Sequence, residues 1–383
     1  MIIGFDGSRA FNKNRTGTEN YSYQLLLHLA KIDIENHYLV YIRPGSSVNS
    51  NNWPDNFKFI TIPFPRLWTQ AGLALQTFKD HLDVLFIPSH TLPLIHKPGL
   101  TTILTVHDLG AEYLPTMHQL KQRLYLKLMT DYQIKSASHL IAVSNATKQD
   151  LIKKVGVPKN KISVVYEGFN KELFEAVSSS KQKEVLIKYG LEENNYFLFV
   201  GTIQPRKNLE RLIRAYSQFL DTRGPAASDL LIFRSSDLPV LVLVGSKGWL
   251  SDEIYELPKR LGVENQVKFL GYVPDKDLPA LYSNAIAFTF PSLFEGFGLP
   301  ILEAFANHCP VLTSNISSMP EVAGDAALLV DPYLVESISQ GLEKLHQNPT
   351  LRNNLVKLGL KQIQKFSWEK AARETLEILT KTD

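Results

Sequence analysis

The sequence predicts an α/β protein of two doubly wound, Rossmann-like domains. Three observations carry this. Short, continuously apolar runs recur along the chain, the pattern of parallel strands buried on both faces. Amphipathic stretches alternate with them, so the order β-α-β-α is run through twice. The length of 383 residues suits two domains, or three, at about 100–200 residues each.

In the first half MIIGFD (1–6), HYLVYI (37–42), VLFIPS (84–89), TTILTVHD (101–108), HLIAVS (139–144) and ISVVYEG (162–168) read as strands. In the second half YFLFVGT (196–202), LPVLVLVG (238–245), QVKFLGYV (266–273), AIAFTFPS (285–292), PVLTSN (310–315) and AALLVD (326–331) do so. GTENYSYQLLLHLAKI (17–32) and KNLERLIRAYSQFL (207–220) read as helices; in the latter Leu209, Leu212, Ile213, Tyr216 and Leu220 share a face. The pattern lapses after residue 168, and a serine run at 178–180 marks a linker near 168–180. Residues 221–238, with Gly, Pro and Ser, read as an exposed insertion. The amphipathic stretch 118–133 reads as a helix packed on the core with a solvated basic face; membrane docking through it is the second reading.

The bulk numbers bound the class. Hydrophobic residues at 44% and charged residues at 21% are ordinary for a soluble globular protein. Residues 1–170 hold 18 Lys and Arg against 12 Asp and Glu, a net of +6; the remainder holds 23 against 26, a net of −3. A mildly basic first half fits an anionic ligand or membrane surface, and fits chance as well. The single cysteine, Cys309, allows no intrachain disulfide, so a reducing, cytoplasmic setting is expected. The N-terminus lacks the features of a signal peptide, and no apolar run nears the roughly 18 residues of a spanning helix.

FPSLFEGFGLPILEAFA (290–306) sets two carboxylates, Glu295 and Glu303, around a short apolar loop. A strand leads in, and Pro300 suits the first turn of a helix running to about Asn307. Gly296 and Gly298 let backbone N–H groups face a ligand, and the helix N-terminus favours an anion. Carboxylates beside such a pocket would accept from sugar or ribose hydroxyls. Taken as isolated acids, they would read as a loop acid and a helix-surface acid.

EGFGLPILE resembles the E-x7-E signature of retaining glycosyltransferases of family 4, which have the GT-B fold. GTIQPRKNLERLIRAY (201–216), GYVPDKDLPALYSNA (271–285), SSMPEVAGDAALLVDP (317–332) and FSWEKAARETLEIL (366–379) resemble the family's C-terminal half in its order. TGTENYSYQLLLHL and TVHDLG resemble the N-terminal half more loosely. The resemblance implies two Rossmann-like domains facing a central cleft: 1–170 on the acceptor side, 171–365 on the nucleotide-sugar donor side, and 366–383 returning to the first domain. It implies transfer of a hexose from a nucleoside diphosphate sugar to a glycan or lipid-linked acceptor, with retention and without a metal or other cofactor. No nucleic-acid partner is expected; a location on the inner face of the cell membrane is compatible. The PRKN variant is similar to that of bacterial mannosyl- and rhamnosyl-type enzymes, which implies GDP-mannose. Two rivals stay open, a nucleotide-sugar epimerase on the same fold and a non-catalytic nucleotide-sugar-binding protein.

Residue roles follow from the matched positions. The resemblance implies that Lys207 binds the donor diphosphate, and Arg206 supplies the second cation where many relatives carry Arg in place of Thr202. Tyr272, Val273, Phe297, Gly298, Leu299 and Glu303 are expected at the donor, with Glu303 on the ribose. Glu295 and His107 are expected to be catalytic, His107 beside the donor sugar at a strand's C-terminal end, where ligands of such sheets bind. Gly17 is also expected at the donor, since it resembles the glycine-rich first loop that passes close to the phosphate and the acceptor, although Thr18 and Glu19 depart from that pattern. Asp275-Lys276-Asp277 spells a metal motif of another fold but reads here as a helix N-terminal turn with Asp as cap. No His/Cys group has zinc spacing.

Overall fold

The computed structural model describes residues 1–12, 15, 17–89, 91–109, 130–169, 178–221 and 238–381. Contacts divide the chain into two units, Met1–Gly168 with Phe366–Asp383, and Phe169–Lys365. Each is built on one parallel sheet, the arrangement of the GT-B fold.

The first unit's strands are β1 (Ile2–Asp6), β2 (His37–Ile42), β3 (Phe57–Thr61), β4 (Val84–Ile87), β5 (Thr101–Val106), β6 (His139–Ala142) and β7 (Ile162–Val164). They lie in the order β3-β2-β1-β4-β5-β6-β7. All pairs are parallel, so every connection is a crossover. The apolar runs have the reason expected of them: Ile3, Phe5, Leu85, Phe86, Ile103, Leu104, Leu140 and Ile141 are fully buried. β3 goes beyond the sequence reading. It is an edge strand whose residues are mostly half-buried or exposed, with Lys58 turned to solvent, so it lacks the continuous apolar signature.

The helix Trp368–Thr380 packs on the helix Gly17–Ile32 of the same unit. Ser367 caps it, its Oγ accepting from Lys370 N at 3.1 Å. Gly168 makes the crossing possible, since a Cβ there would lie 2.1 Å from Trp368 N. Tyr166 and Phe366 pack edge to face beside it, ring centroids 5.6 Å apart.

The second unit holds β8 (Tyr196–Val200), β9 (Val240–Val244), β10 (Val267–Gly271), β11 (Ala287–Phe290), β12 (Val311–Ser314) and β13 (Ala327–Val330), in the order β10-β9-β8-β11-β12-β13. The helix expected from 207 begins at Leu209, after a 3-10 turn at Pro205–Lys207. Asn208 separates the two with φ +60°, its Nδ2 donating to Pro291 O and Pro332 O at 3.0 and 2.7 Å. On the buried face of this helix Ala215 and Phe219 join Leu209, Leu212, Ile213 and Tyr216, and Leu220 sits at its margin. Most of the expected linker, of the insertion and of the stretch 118–133 lies outside the described residues.

Candidate functional site

In the second sheet β8 is flanked by β9 on one side and β11 on the other, so the strand order reverses there. Such a reversal opens a crevice at the strands' carboxyl ends. The chain leaving β8 carries Arg206 and Lys207; the chain leaving β11 carries Glu295. Lys207 Nζ donates to Glu295 Oε1 and Arg206 Nη1 to Glu295 Oε2, each at 2.7 Å. The backbone joins the same two loops. Leu293 N donates to Arg206 O at 3.0 Å, and Arg206 Nη1 also reaches Phe294 O at 2.8 Å. Lys207 Nζ stands 4.7 Å from the centroid of the Phe290 ring.

Lys207 and Glu295 are each only 7% exposed. Burial pushes the Glu295 carboxyl up, but Lys207 and Arg206 outweigh it and hold the group below its ordinary value. The three charged groups stand beside the helix Leu299–Ala306, whose N-terminus adds positive partial charge. Gly298 starts that helix at φ +112°, a conformation L side chains rarely adopt. The loop before it is held by two serines. Ser317 Oγ bonds Glu295 O at 2.7 Å; Ser318 Oγ bonds Glu295 O at 3.0 Å and Phe297 O at 2.6 Å.

Glu303 lies one turn into the helix and accepts from Tyr282 Oη at 3.0 Å. Burial pushes its carboxyl up to about 7; the Tyr282 bond opposes this, and the negative charge of Asp275 adds to it. Close to neutral pH this group is therefore both a donor and an acceptor of protons. Tyr272 and Val273 follow β10, two strands from β8. The Tyr272 ring is exposed at 72%, whereas Val273 is buried and can meet a ligand only through its main chain.

His107 and Gly17 belong to the first unit. His107 follows β5 and is 6% exposed. Its Nε2 lies 2.9 Å from Pro88 O, a pure acceptor, so that nitrogen carries hydrogen. Its Nδ1 lies 3.1 Å from Glu167 Oε1. The Tyr21 ring packs edge-on against the imidazole, centroids 4.6 Å apart. The ring is thus held in one orientation by groups from the chain after β4, the chain after β7 and the first helix. Gly17 opens that helix, and among the described residues nothing lies within 4 Å of a would-be Cβ.

One expectation is corrected. Asp277 stands at the N-cap of the helix Leu278–Ser283, but its side chain makes no cap bond. Its Oδ2 takes Lys188 Nζ at 2.6 Å and Tyr189 Oη at 3.0 Å, because a carboxylate 2% exposed needs a counter-charge more than the helix needs a cap. Among the described residues no group of three or more His, Cys, Asp or Glu could hold a metal ion. No helix among them is long and apolar enough to cross a membrane.

Sequence reasoning passed over Glu167, Ser317, Ser318 and Asn208. The Ser-Ser pair before Met319-Pro320 is a local signal of a turn; Glu167 carries none, being one acid after a short strand.

A family model for "Glycosyl transferases group 1" matches residues 181–362, and one for "Glycosyltransferase Family 4" matches residues 15–173. The O-antigen chain mannosyltransferase B of Escherichia coli is 33% identical over 303 residues, covering 79% of this chain and 75% of that protein. Among solved structures, sucrose-phosphate synthase of Thermosynechococcus elongatus superposes with a TM-score of 0.74 at 20% identity, over 98% of each chain. Anabaena HepE, solved with UDP and glucose, does so with a TM-score of 0.72 at 20% identity, over 100% of this chain and 99% of that one.

Proposed function

The chain belongs to the GT-B glycosyltransferases, and on that footing we propose that it moves a mannosyl group from GDP-mannose to a surface-polysaccharide glycan, with retention of configuration and without a metal. The observation that carries this reading is the Lys207–Glu295–Arg206 triad at the reversal of the second sheet, its lysine and glutamate buried and its arginine half-buried. A buried ion cluster is poor value as a stabiliser, since apolar residues of like volume do as well or better. It makes sense where cations must be held ready for an anionic ligand.

The diphosphate of the donor is that ligand. It would take hydrogen bonds from Arg206, Lys207 and the N–H groups at Phe297–Leu299. Its charge grows as the glycosyl bond breaks, so fixed cations stabilise the transition state more than the ground state. Glu295, released in part from its cations, accepts from a sugar hydroxyl. Glu303 accepts from the ribose in its ionised form. His107, in the first unit, is assigned the catalytic role that the resemblance implies, and Glu167 and Pro88 fix the orientation of its ring. Support for mannose comes from the mannosyltransferase relative; retention is what the resemblance of EGFGLPILE to the signature of retaining family 4 enzymes implies. Arg206, Lys207 and the helix end supply the charge that a metal provides elsewhere. The single buried cysteine fits a reducing, cytoplasmic setting.

A thermal-shift screen of UDP-, GDP-, ADP- and dTDP-sugars tests the donor; the true one at 100 times its Kd stabilises by about 2.7 kcal/mol. Mass spectrometry of the products then looks for a glycan one hexose longer, and full transfer is expected in excess EDTA. Stabilisation by none of the donors defeats the reading, as does an epimerised sugar nucleotide with the acceptor unchanged. A loss in EDTA that Mg²⁺ restores defeats metal independence.

A further inference from the structure

Glu303, the carboxylate assigned to the ribose, rests on a buried phenol. Tyr282 lies on the short helix Leu278–Ser283 and is fully buried. Its Oη donates to Glu303 Oε2 at 3.0 Å, and among the described residues no other side chain bonds this carboxylate. Phenylalanine would fill the same space in the core, so it is the hydroxyl that needs a reason.

The phenol is held in place from several sides. Its ring packs edge-on against Phe288 of β11, centroids 5.3 Å apart. The helix that carries it is tied down along its length. Asp277 takes Lys188 and Tyr189 at its start, and Tyr196 Oη of β8 donates to Leu281 O at 2.6 Å. Just past its end, Asn194 N donates to Asn284 O at 2.8 Å. A donor fixed this firmly sets the place of the oxygen it meets, and Glu303 itself is only half-buried, so its second oxygen is within reach of a ligand.

The same bond bears on charge. Burial and the Glu303 charge hold the phenol's own proton well above its ordinary range, so it stays a donor at any working pH. A donor to a carboxylate favours the ionised form. Of the influences on Glu303, burial is the largest and opposes the charge; the Tyr282 bond comes next and favours it. Asp275 sides with burial and Lys207 against it, both more weakly. The helices Met319–Ala323 and Pro349–Gln362 pack on the helix of Glu303 as well, and among the described residues bring no charge that acts on it.

We propose that Tyr282 is a positioning residue for the donor: its hydroxyl keeps Glu303 ionised and fixes one of its oxygens, leaving the other for a ribose hydroxyl. It touches no reacting group and acts through Glu303 alone. The inference rests on the ribose assignment above for its consequence in binding, though not for its effect on the carboxyl.

Tyr282→Phe keeps the ring and removes the bond. Carbon NMR of the full chain through a pH titration follows the Glu303 carboxyl, its signal being the one that Glu303→Gln lacks. The midpoint should rise by about one pH unit in Tyr282→Phe. In calorimetry GDP should bind this variant about fivefold more weakly at pH 7, yet within about threefold of wild type at pH 9, where Glu303 is ionised in both. In a Glu303→Gln background the same change should alter GDP affinity by less than about twofold, and kcat at saturating donor should stay within about twofold. An unmoved midpoint overturns the inference. So does a loss of GDP affinity equal at both pH values, or one that persists in the Glu303→Gln background, since either marks a merely structural hydroxyl. If Glu303→Gln weakens GDP binding while Tyr282→Phe moves neither midpoint nor affinity, the ribose assignment stands and the inference alone fails. If Glu303→Gln binds GDP as the wild type does, the assignment fails and takes the inference with it.

Discussion

Replacing Glu303 with glutamine should stabilise the unliganded protein in alkaline buffer, barely change it in acid, and weaken nucleotide binding. The folded carboxyl titrates at about 7 against an ordinary 4.5. Between those values the folded chain holds a proton that the unfolded chain has lost. The stability this brings is fully present below pH 4.5 and is lost as pH rises through 7. At 1.36 kcal/mol per pH unit, the gap amounts to about 3 kcal/mol. Glu303 is half-buried, so solvent screening trims this to about 2 kcal/mol. Glutamine stays neutral and can still accept from Tyr282. The variant's advantage should grow from under about 1 kcal/mol at pH 5 to about 2 kcal/mol at pH 8.5. For a unit of this size that is a Tm offset of roughly 4–8 °C, read by scanning calorimetry. An offset equal at both pH values would refute the burial argument. In calorimetric titrations GDP should bind Glu303→Gln about 10- to 150-fold more weakly, the worth of one charged hydrogen bond. Wild-type affinity should fall about tenfold between pH 8 and 6. Unchanged affinity would remove Glu303 from the ribose.

The other catalytic assignments divide differently. Glu295→Gln strips the triad of its only negative charge, and should destabilise the free protein by ~3 kcal/mol; nucleotide binding should stay near normal and turnover should be poor. If GDP affinity falls as far as in the Glu303 variant, the two carboxylates do not have separate tasks. His107→Ala should slow transfer by ~10²-fold or more with GDP affinity intact, as paired calorimetry and rate measurements will show. Normal transfer would reduce this histidine to a buried strand-end residue tied to Pro88 and Glu167.

The fold was legible where one physical cause dominates. A parallel strand covered on both faces must be apolar almost throughout, and the inner strands β1, β4, β5, β6, β8, β9, β11 and β12 all show it. FKFIT (57–61) carries a weaker signal, since Lys58 and Thr61 are exposed and leave only Phe57, Phe59 and Ile60 as apolar residues; the other edge strands, β7, β10 and β13, lie within longer apolar runs. At the site, Arg206, Lys207 and Glu295 could each be picked out, but not their meeting. They lie 88 and 89 positions apart and come together only because β8 and β11 are neighbours. Glu167 reaches His107 across 60 positions in the same way. Asp277 shows the limit most sharply. By local rules it is a helix cap, worth about 1 kcal/mol. Lys188 and Tyr189, almost 90 positions earlier, offer its buried carboxylate two hydrogen bonds, one from a cation. A charged hydrogen bond is worth about 1.5–3 kcal/mol. The stronger interaction wins, and its donors sit on a helix that only the fold brings near.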